Sequence, residues 1–273
     1  MARHIPVGRI AVGVALVVAA WMVVQEARPP RWRTLQPGVE FGMMRGDPFC
    51  RRGSAEIALL RLDPARVDLA VHHFSRQPER VPLTLLQWQR RLGAIAVFNA
   101  GQYYPDFSYM GLLVSGGEVI SGRPHARFRA ALVARPVGGG AGARVLDLEG
   151  RSLERERRRW REIAQSFMLF DGQGEPRVKR SEQVANRTAV GEDQGGRLVV
   201  ITSEGGYTLW EFARLLQKAP LGLTHAMSMD GGREAELCVS SRGFHYASFG
   251  RWEDDPDHQV AVPLPAVIAV SPR

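Results

Sequence analysis

The sequence predicts an α+β fold, a single mixed domain in which a twisted multi-stranded sheet carries a few packed helices. Three observations lead there. Short apolar stretches recur along the chain, several with period-two alternation. The 29 glycines and 17 prolines mark frequent turns, too many for a helical bundle. Only a few segments repeat apolar residues at helical spacing, and no internal repeat or boundary between two equal domains is visible.

Taken in order, residues 1–30 stand apart from the body. Arg3, His4 and Arg9 precede the apolar run Ile10 to Val24, which Gln25 and Glu26 close. A basic flank before a run this short fits a signal peptide or a signal anchor, and both readings stay open. Either one places the body outside the cytoplasm: exported, periplasmic, or anchored to an inner membrane and facing the periplasm.

The body is expected to form one domain over residues 38–273. Its first strands are VEFGMM, EIALLRL and VDLAVHH, the last two joined by Asp63-Pro64. Leu85, Leu86 and Trp88 mark a short helix, followed by a strand from Ala94 to Phe98 that ends at Asn99. Gly116-Gly117 signals a hairpin, and an alternating segment runs from Ala126 into the glycine-rich turn after Val137. Leu153, Trp160, Ile163 and Phe167 predict a helix over 153–167, with Arg155, Arg157, Arg158, Arg159 and Arg161 largely on its other face. Strands at 187–193 and 197–203 follow. Thr208 caps a helix carrying Leu209, Phe212, Leu215 and Leu216. Strands over 225–230, 236–240 and 263–271 complete the body, with the acidic loop 253–257 before the last.

Charge gives a general pointer. Lys and Arg number 36 against 28 Asp and Glu, for a net charge of +8. Arginine-rich composition favours phosphate and carboxylate partners. The basic residues are dispersed and no nucleic-acid motif accompanies them, so no nucleic-acid partner is expected. Cys50 and Cys238 permit one disulfide in an oxidising compartment, or two free thiols.

Three stretches carry candidate chemistry. In Asn99–Tyr104, a strand ends in Asn99, Gly101 lets the backbone approach a ligand, and Tyr103 and Tyr104 can stack on a sugar or close the core. Arg187, within the strand at 187–193, can hold phosphate bidentately or pair with a structural carboxylate. In the third stretch Ala226, Ser228 and Asp230 alternate with Met227 and Met229. Gly231 and Gly232 then form a sharp exit whose N–H groups can build an anion nest, with Arg233 and Glu234 beside it. The oxygen spacing of a helix-loop-helix calcium site, a Walker loop, an HExxH pair and a G-x-S-x-G elbow are all absent from the sequence. No cofactor or metal ligand is assigned, although a divalent cation such as calcium remains compatible.

Together these stretches resemble the phosphodiester glycosidase family, in its exported bacterial branch. The family pattern has an Asn-Ala-Gly strand end followed by aromatics, matched by Asn99, Ala100, Gly101, Tyr103 and Tyr104. Its Arg-Thr-Ala-x-Gly is matched by Arg187, Thr188, Ala189, Val190 and Gly191. Its Asp-Gly-Gly is matched by Asp230, Gly231 and Gly232, but Arg233 and Glu234 replace the usual Gly-Ser. Gln165 resembles the family's strand glutamine, without the usual proline, and the similarity in order spans about residues 41–270.

The resemblance implies a phosphodiester glycosidase-like fold and hydrolysis of a sugar-1-phosphodiester or a related envelope glycan linkage. It implies Asp230 as base or electrostatic stabiliser with Glu234 second, Arg187 as phosphate clamp supplemented by Arg233, and Asn99 orienting substrate or water. Gly101, Tyr103, Tyr104, Gly231 and Gly232 are the remaining substrate-binding candidates. The expected partners are a glycan or sugar phosphate, and a membrane through the N-terminal segment. The alternative is a non-catalytic periplasmic or envelope protein that binds glycan or anionic polymer in the same pocket.

Overall fold

Strands that are apolar on both faces need cover on both sides, and this chain supplies it with sheets around a common core and helices outside them. The computed structural model describes residues 29–251, 259 and 261–273. The apolar leader and the acidic loop 253–257 lie outside the described residues.

In chain order, β1 (Arg33–Gln36), β2 (Val39–Arg45), β3 (Glu56–Leu62) and β4 (Val67–His73) come first. β5 (Leu83–Thr84) leads into helix α1 (Leu85–Leu92), and β6 (Ala96–Asn99) follows. Next are β7 (Leu113–Ser115), β8 (Glu118–Ser121), β9 (Ala130–Pro136) and β10 (Ala143–Asp147). A short helix α2 (Leu153–Arg157) precedes β11 (Trp160–Ser166) and β12 (Met168–Phe170). Then come β13 (Arg187–Asp193), β14 (Leu198–Ser203), helix α3 (Leu209–Lys218) and β15 (Leu223–Gly231). β16 (Leu237–Ser241), β17 (Phe244–Ser248), β18 (Pro263–Leu264) and β19 (Ala266–Pro272) finish the chain.

These strands form three main sheets, ordered β1-β2-β3-β14-β13-β15-β12, β10-β9-β11-β7-β8 and β17-β16-β6-β19-β4, with a small β18-β5 pair. The central core draws on all three: Leu60, Val200 and Met227 from the first, Leu113 and Leu132 from the second, Phe98 and Ile268 from the third. Alternate residues point outward to the helices. Leu59, Val199 and Ile201 meet Phe212 and Leu216 of α3, while Val97 and Val267 meet Leu85 and Trp88 of α1. The molecule is thus a mixed α+β domain of twisted sheets with few helices.

Local signals set the helix ends. The Gln87 side chain accepts the Thr84 N–H at 2.9 Å, and Gly93, at φ 58°, closes α1. Thr208 Oγ1 accepts the Glu211 N–H at 3.2 Å at the start of α3, as the sequence predicts.

The helix expected over 153–167 is corrected. Only Leu153–Arg157 is helical, and Trp160–Ser166 is a strand. β11 is a central strand, bonded to β9 on one side and β7 on the other. Two ladders of main-chain bonds override the helical spacing of Trp160, Ile163 and Phe167. The expected basic helix face is largely neutralised, since Arg157 and Arg158 pair with Glu154 and Arg159 with Glu156.

Cys50 and Cys238 are both free thiols. Burial pushes the Cys238 thiol up to about 12. Among the described residues, no helix is long and apolar enough to cross a membrane.

Candidate active site

Asp230 owes its position to an irregular ladder. Arg187 of β13 lies opposite Gly231, but Ala189 lies opposite Ser228, so β15 carries one extra residue between these points. Such a bulge re-aims the side chains around it. The Asp230 N–H then leaves β13 and donates to the Ala100 carbonyl at 3.0 Å, which ties the end of β15 to the end of β6.

The glycines are dictated by close approach. A Cβ on Gly231 would sit 2.9 Å from the Asn186 carbonyl oxygen and 3.3 Å from Arg187 Nη1. Gly232, at φ +70°, begins a single 3-10 turn over Gly232–Glu234 that swings Glu234 towards Tyr103. The Gly231 N–H donates to Asp230 Oδ1 at 2.9 Å, so this part of the predicted anion nest holds the protein's own carboxylate.

A cavity of about 910 Å³ opens here, and Asp230, Gly231, Gly232, Arg233, Glu234 and Arg187 line it. Arg187 is only 9% exposed. Its Nε donates to the Tyr207 carbonyl at 3.0 Å and its Nη2 to the Gln183 carbonyl at 2.9 Å, which fixes the cation in place. Arg233 Nε donates to Glu234 Oε1 at 2.7 Å, and the Tyr103 hydroxyl donates to the same oxygen at 3.1 Å.

Burial, reinforced by the Glu234 charge, pushes Asp230 up from the ordinary carboxylate range to about 7. The Gly231 N–H and the Arg187 and Arg233 charges act in the opposite direction but do not cancel the rise. Burial, with the Glu234 and Asp230 charges, also raises the Tyr103 phenol. The arrangement places a carboxylate that can exchange a proton near neutral pH beside fixed cationic charge. That combination suits attack by water on an anionic substrate.

The remaining candidates lie behind or beside this wall. Asn99 is buried, its Nδ2 donating to the Asp230 and Ala100 carbonyls and its Oδ1 accepting the Glu236 N–H. It therefore grips the main chain of Asp230 from behind. Gly101 packs against the Tyr109 hydroxyl, where a Cβ would come within 2.4 Å. Tyr104 is exposed.

Several cavity residues were not singled out from the sequence: Gln102, Arg127, Arg129, Arg177, Lys179 and Arg251. Gln102 carries a local signal, as it sits inside the Asn99–Tyr104 stretch, and its Nε2 donates to the Met229 carbonyl at 3.0 Å. The cations come from segments with no motif, and only the tertiary fold gathers them. Among the described residues no group of three or more His, Cys, Asp or Glu is placed to hold a metal ion. His225 Nε2 instead lies 2.9 Å from the Val145 carbonyl oxygen.

The family model for NAGPA, phosphodiester glycosidase, matches residues 92–271, well over half the chain and all three motif stretches. The chain belongs to the phosphodiester glycosidase family. No curated protein sequence matches it. Among solved structures, a hypothetical protein from Synechocystis is similar, with a TM-score of 0.64 at 15% identity over 91% of this chain. This chain covers 64% of that protein. The catalytic domain of zebrafish N-acetylglucosamine-1-phosphodiester alpha-N-acetylglucosaminidase, auto-inhibited by its pro-peptide, matches with a TM-score of 0.62. Identity there is 15%, over 91% of this chain and 88% of that one. Relationships this distant establish the phosphodiester glycosidase fold, while chemistry has to be argued from the site.

Proposed function

We propose that this chain hydrolyses a sugar-1-phosphodiester or a related envelope glycan linkage. The observation that supports it most is the convergence of Asp230, Glu234 and the anchored Arg187 on one cavity. In this reading Asp230 accepts a proton from water as the water attacks the anomeric carbon. The carbon–oxygen bond to phosphate breaks, and the phosphate monoester leaves as an anion. Phosphate is stable in that form, so the leaving group needs little protonation. Arg187 and Arg233 offset charge on the phosphate. Glu234, held by Tyr103 and Arg233, keeps Asp230 basic enough to act, and Asn99 positions its backbone.

The Arg233–Glu234 pair, where the family pattern has Gly-Ser, favours one competing reading: a glycan or anionic-polymer binding protein without turnover. Hydrolysis in ¹⁸O-labelled water separates the possibilities. Label in the released sugar supports glycosidic cleavage. Label in the phosphate contradicts it, and saturable binding without product supports the binding reading. The exported bacterial setting, periplasmic or membrane-anchored through residues 1–30, belongs to the same proposal.

A further inference from the structure

The cavity carries more positive charge than one scissile phosphate requires. Arg127, Arg129 and Lys179 line it along with Asp230 and Arg187, yet Arg127 and Arg129 come from a segment remote in sequence from both, and Lys179 from the loop before Arg187. Phe128 is buried between the two arginines and packs on Phe167 with ring centroids 4.5 Å apart. Gln165 Nε2 donates to the Phe128 carbonyl at 2.8 Å and to the His125 carbonyl at 3.1 Å. The backbone is therefore pinned inward at Phe128 while its neighbours Arg127 and Arg129 remain exposed. Lys179 is presented in a similar way, two residues after Arg177 and next to the partly buried Val178.

The ionic partners differ along this wall. Arg177 pairs with Asp147, Glu149 and Asp171, so its charge is answered within the protein. Among the described residues, Arg127, Arg129 and Lys179 have no carboxylate partner. Cations on a concave wall that pair with no carboxylate of the described residues raise the local concentration of anions and favour charge-assisted bonds to them. The cavity volume, about 910 Å³, also lies at the upper end of the range of about 300–1,000 Å³ for small-molecule sites. It has room for more than a single sugar phosphate.

We infer that Arg127, Arg129 and Lys179 form a second anion subsite, which takes a further phosphate or carboxylate group of the substrate beyond the scissile linkage. The ligand class is thus a polyanionic glycan or glycan-phosphate chain. The inference rests on the proposed hydrolase reading for the placement of the scissile group. The subsite itself rests on the cation cluster.

Isothermal titration of the full chain at fixed ionic strength tests it. The probes are a hexose 1-phosphate methyl diester, the matching diester of glycerol 3-phosphate, inorganic tripolyphosphate and trigalacturonate. The wild type should bind the two-phosphate diester about tenfold or more tighter than the methyl diester. It should also bind tripolyphosphate or trigalacturonate, and the stronger of these identifies the anion. The triple variant Arg127→Gln, Arg129→Gln, Lys179→Gln should collapse the diester ratio towards one and lose the sugar-free anion. The charge-keeping pair Arg127→Lys, Arg129→Lys should retain most of the ratio. Equal binding of the two diesters by the wild type, or a preference that survives the triple variant, overturns the subsite, even if both diesters are cleaved. Tripolyphosphate binding lost in the triple variant, with no cleavage of either diester, supports the subsite while the hydrolase reading fails.

Discussion

Asp230 and Glu236 are two acids kept in low-dielectric surroundings, and they are read by different measurements, Asp230 by turnover and Glu236 by stability. Asp230 lines the cavity and titrates at about 7, so its ionised, base-competent form is lost on acidification. Turnover should fall about tenfold per pH unit below roughly 7, and an acid limb centred near the ordinary carboxylate range would contradict the assignment. Glu236 is 0% exposed and pushed up to about 8 by burial. Its Oε1 accepts the Val262 N–H at 3.1 Å, while its Oε2 has no hydrogen-bond partner among the described residues. For both acids the folded state holds a proton that the unfolded state has already released. The contribution of these two groups to stability is therefore full below the unfolded carboxylate range, about pH 4, and is lost as pH rises towards 7 and 8. Glu236→Gln removes the group that must ionise, so the decline in melting temperature between pH 5 and pH 9 should shrink. A decline as steep as in the wild type would show that Glu236 does not titrate there.

At the scale of elements, the site depends on strand ends gripped by buried polar side chains. Gln165 is the clearest case. Its Oε1 accepts the Leu112 and His125 N–H groups, and its Nε2 donates to the His125 and Phe128 carbonyls. Gln165→Leu leaves these groups unsatisfied and should cost about 3 kcal/mol. At about 2–4 °C per kcal/mol for a domain of this size, thermal melting would register a drop of roughly 6–12 °C. A drop below about 2 °C would mean that water replaces the amide freely.

Much of this layer was legible in the sequence. β13, β15 and α3 announce themselves by alternation, turn glycines and the Thr208 cap. The segment 153–167 was not, because Trp160, Ile163 and Phe167 satisfy a helical period while β11 follows its two neighbours. The bulge that aims Asp230 was also hidden, since register between β13 and β15 depends on residues far apart in sequence.

For the whole molecule, three sheets share one core and bring the ends of β6, β13 and β15 together. That convergence brings Asn99, Arg187 and Asp230 together from across more than a hundred residues, Arg187 and Asp230 on the cavity wall and Asn99 behind the Asp230 main chain. Their motifs made them readable one by one, whereas Arg127, Arg129 and Lys179 had no local signature and needed the folded cavity to be seen. The net charge of +8 acquires a location in the same way, part of it on the cavity wall. The most direct test is the rate of release of free sugar from sugar 1-phosphodiesters by the purified wild type and by Asp230→Asn at pH 7.5. The wild type should turn over and Asp230→Asn should be slower by about 10²–10⁴-fold with its melting transition retained. Equal rates in the two proteins on a diester that the wild type cleaves would contradict the role given to Asp230.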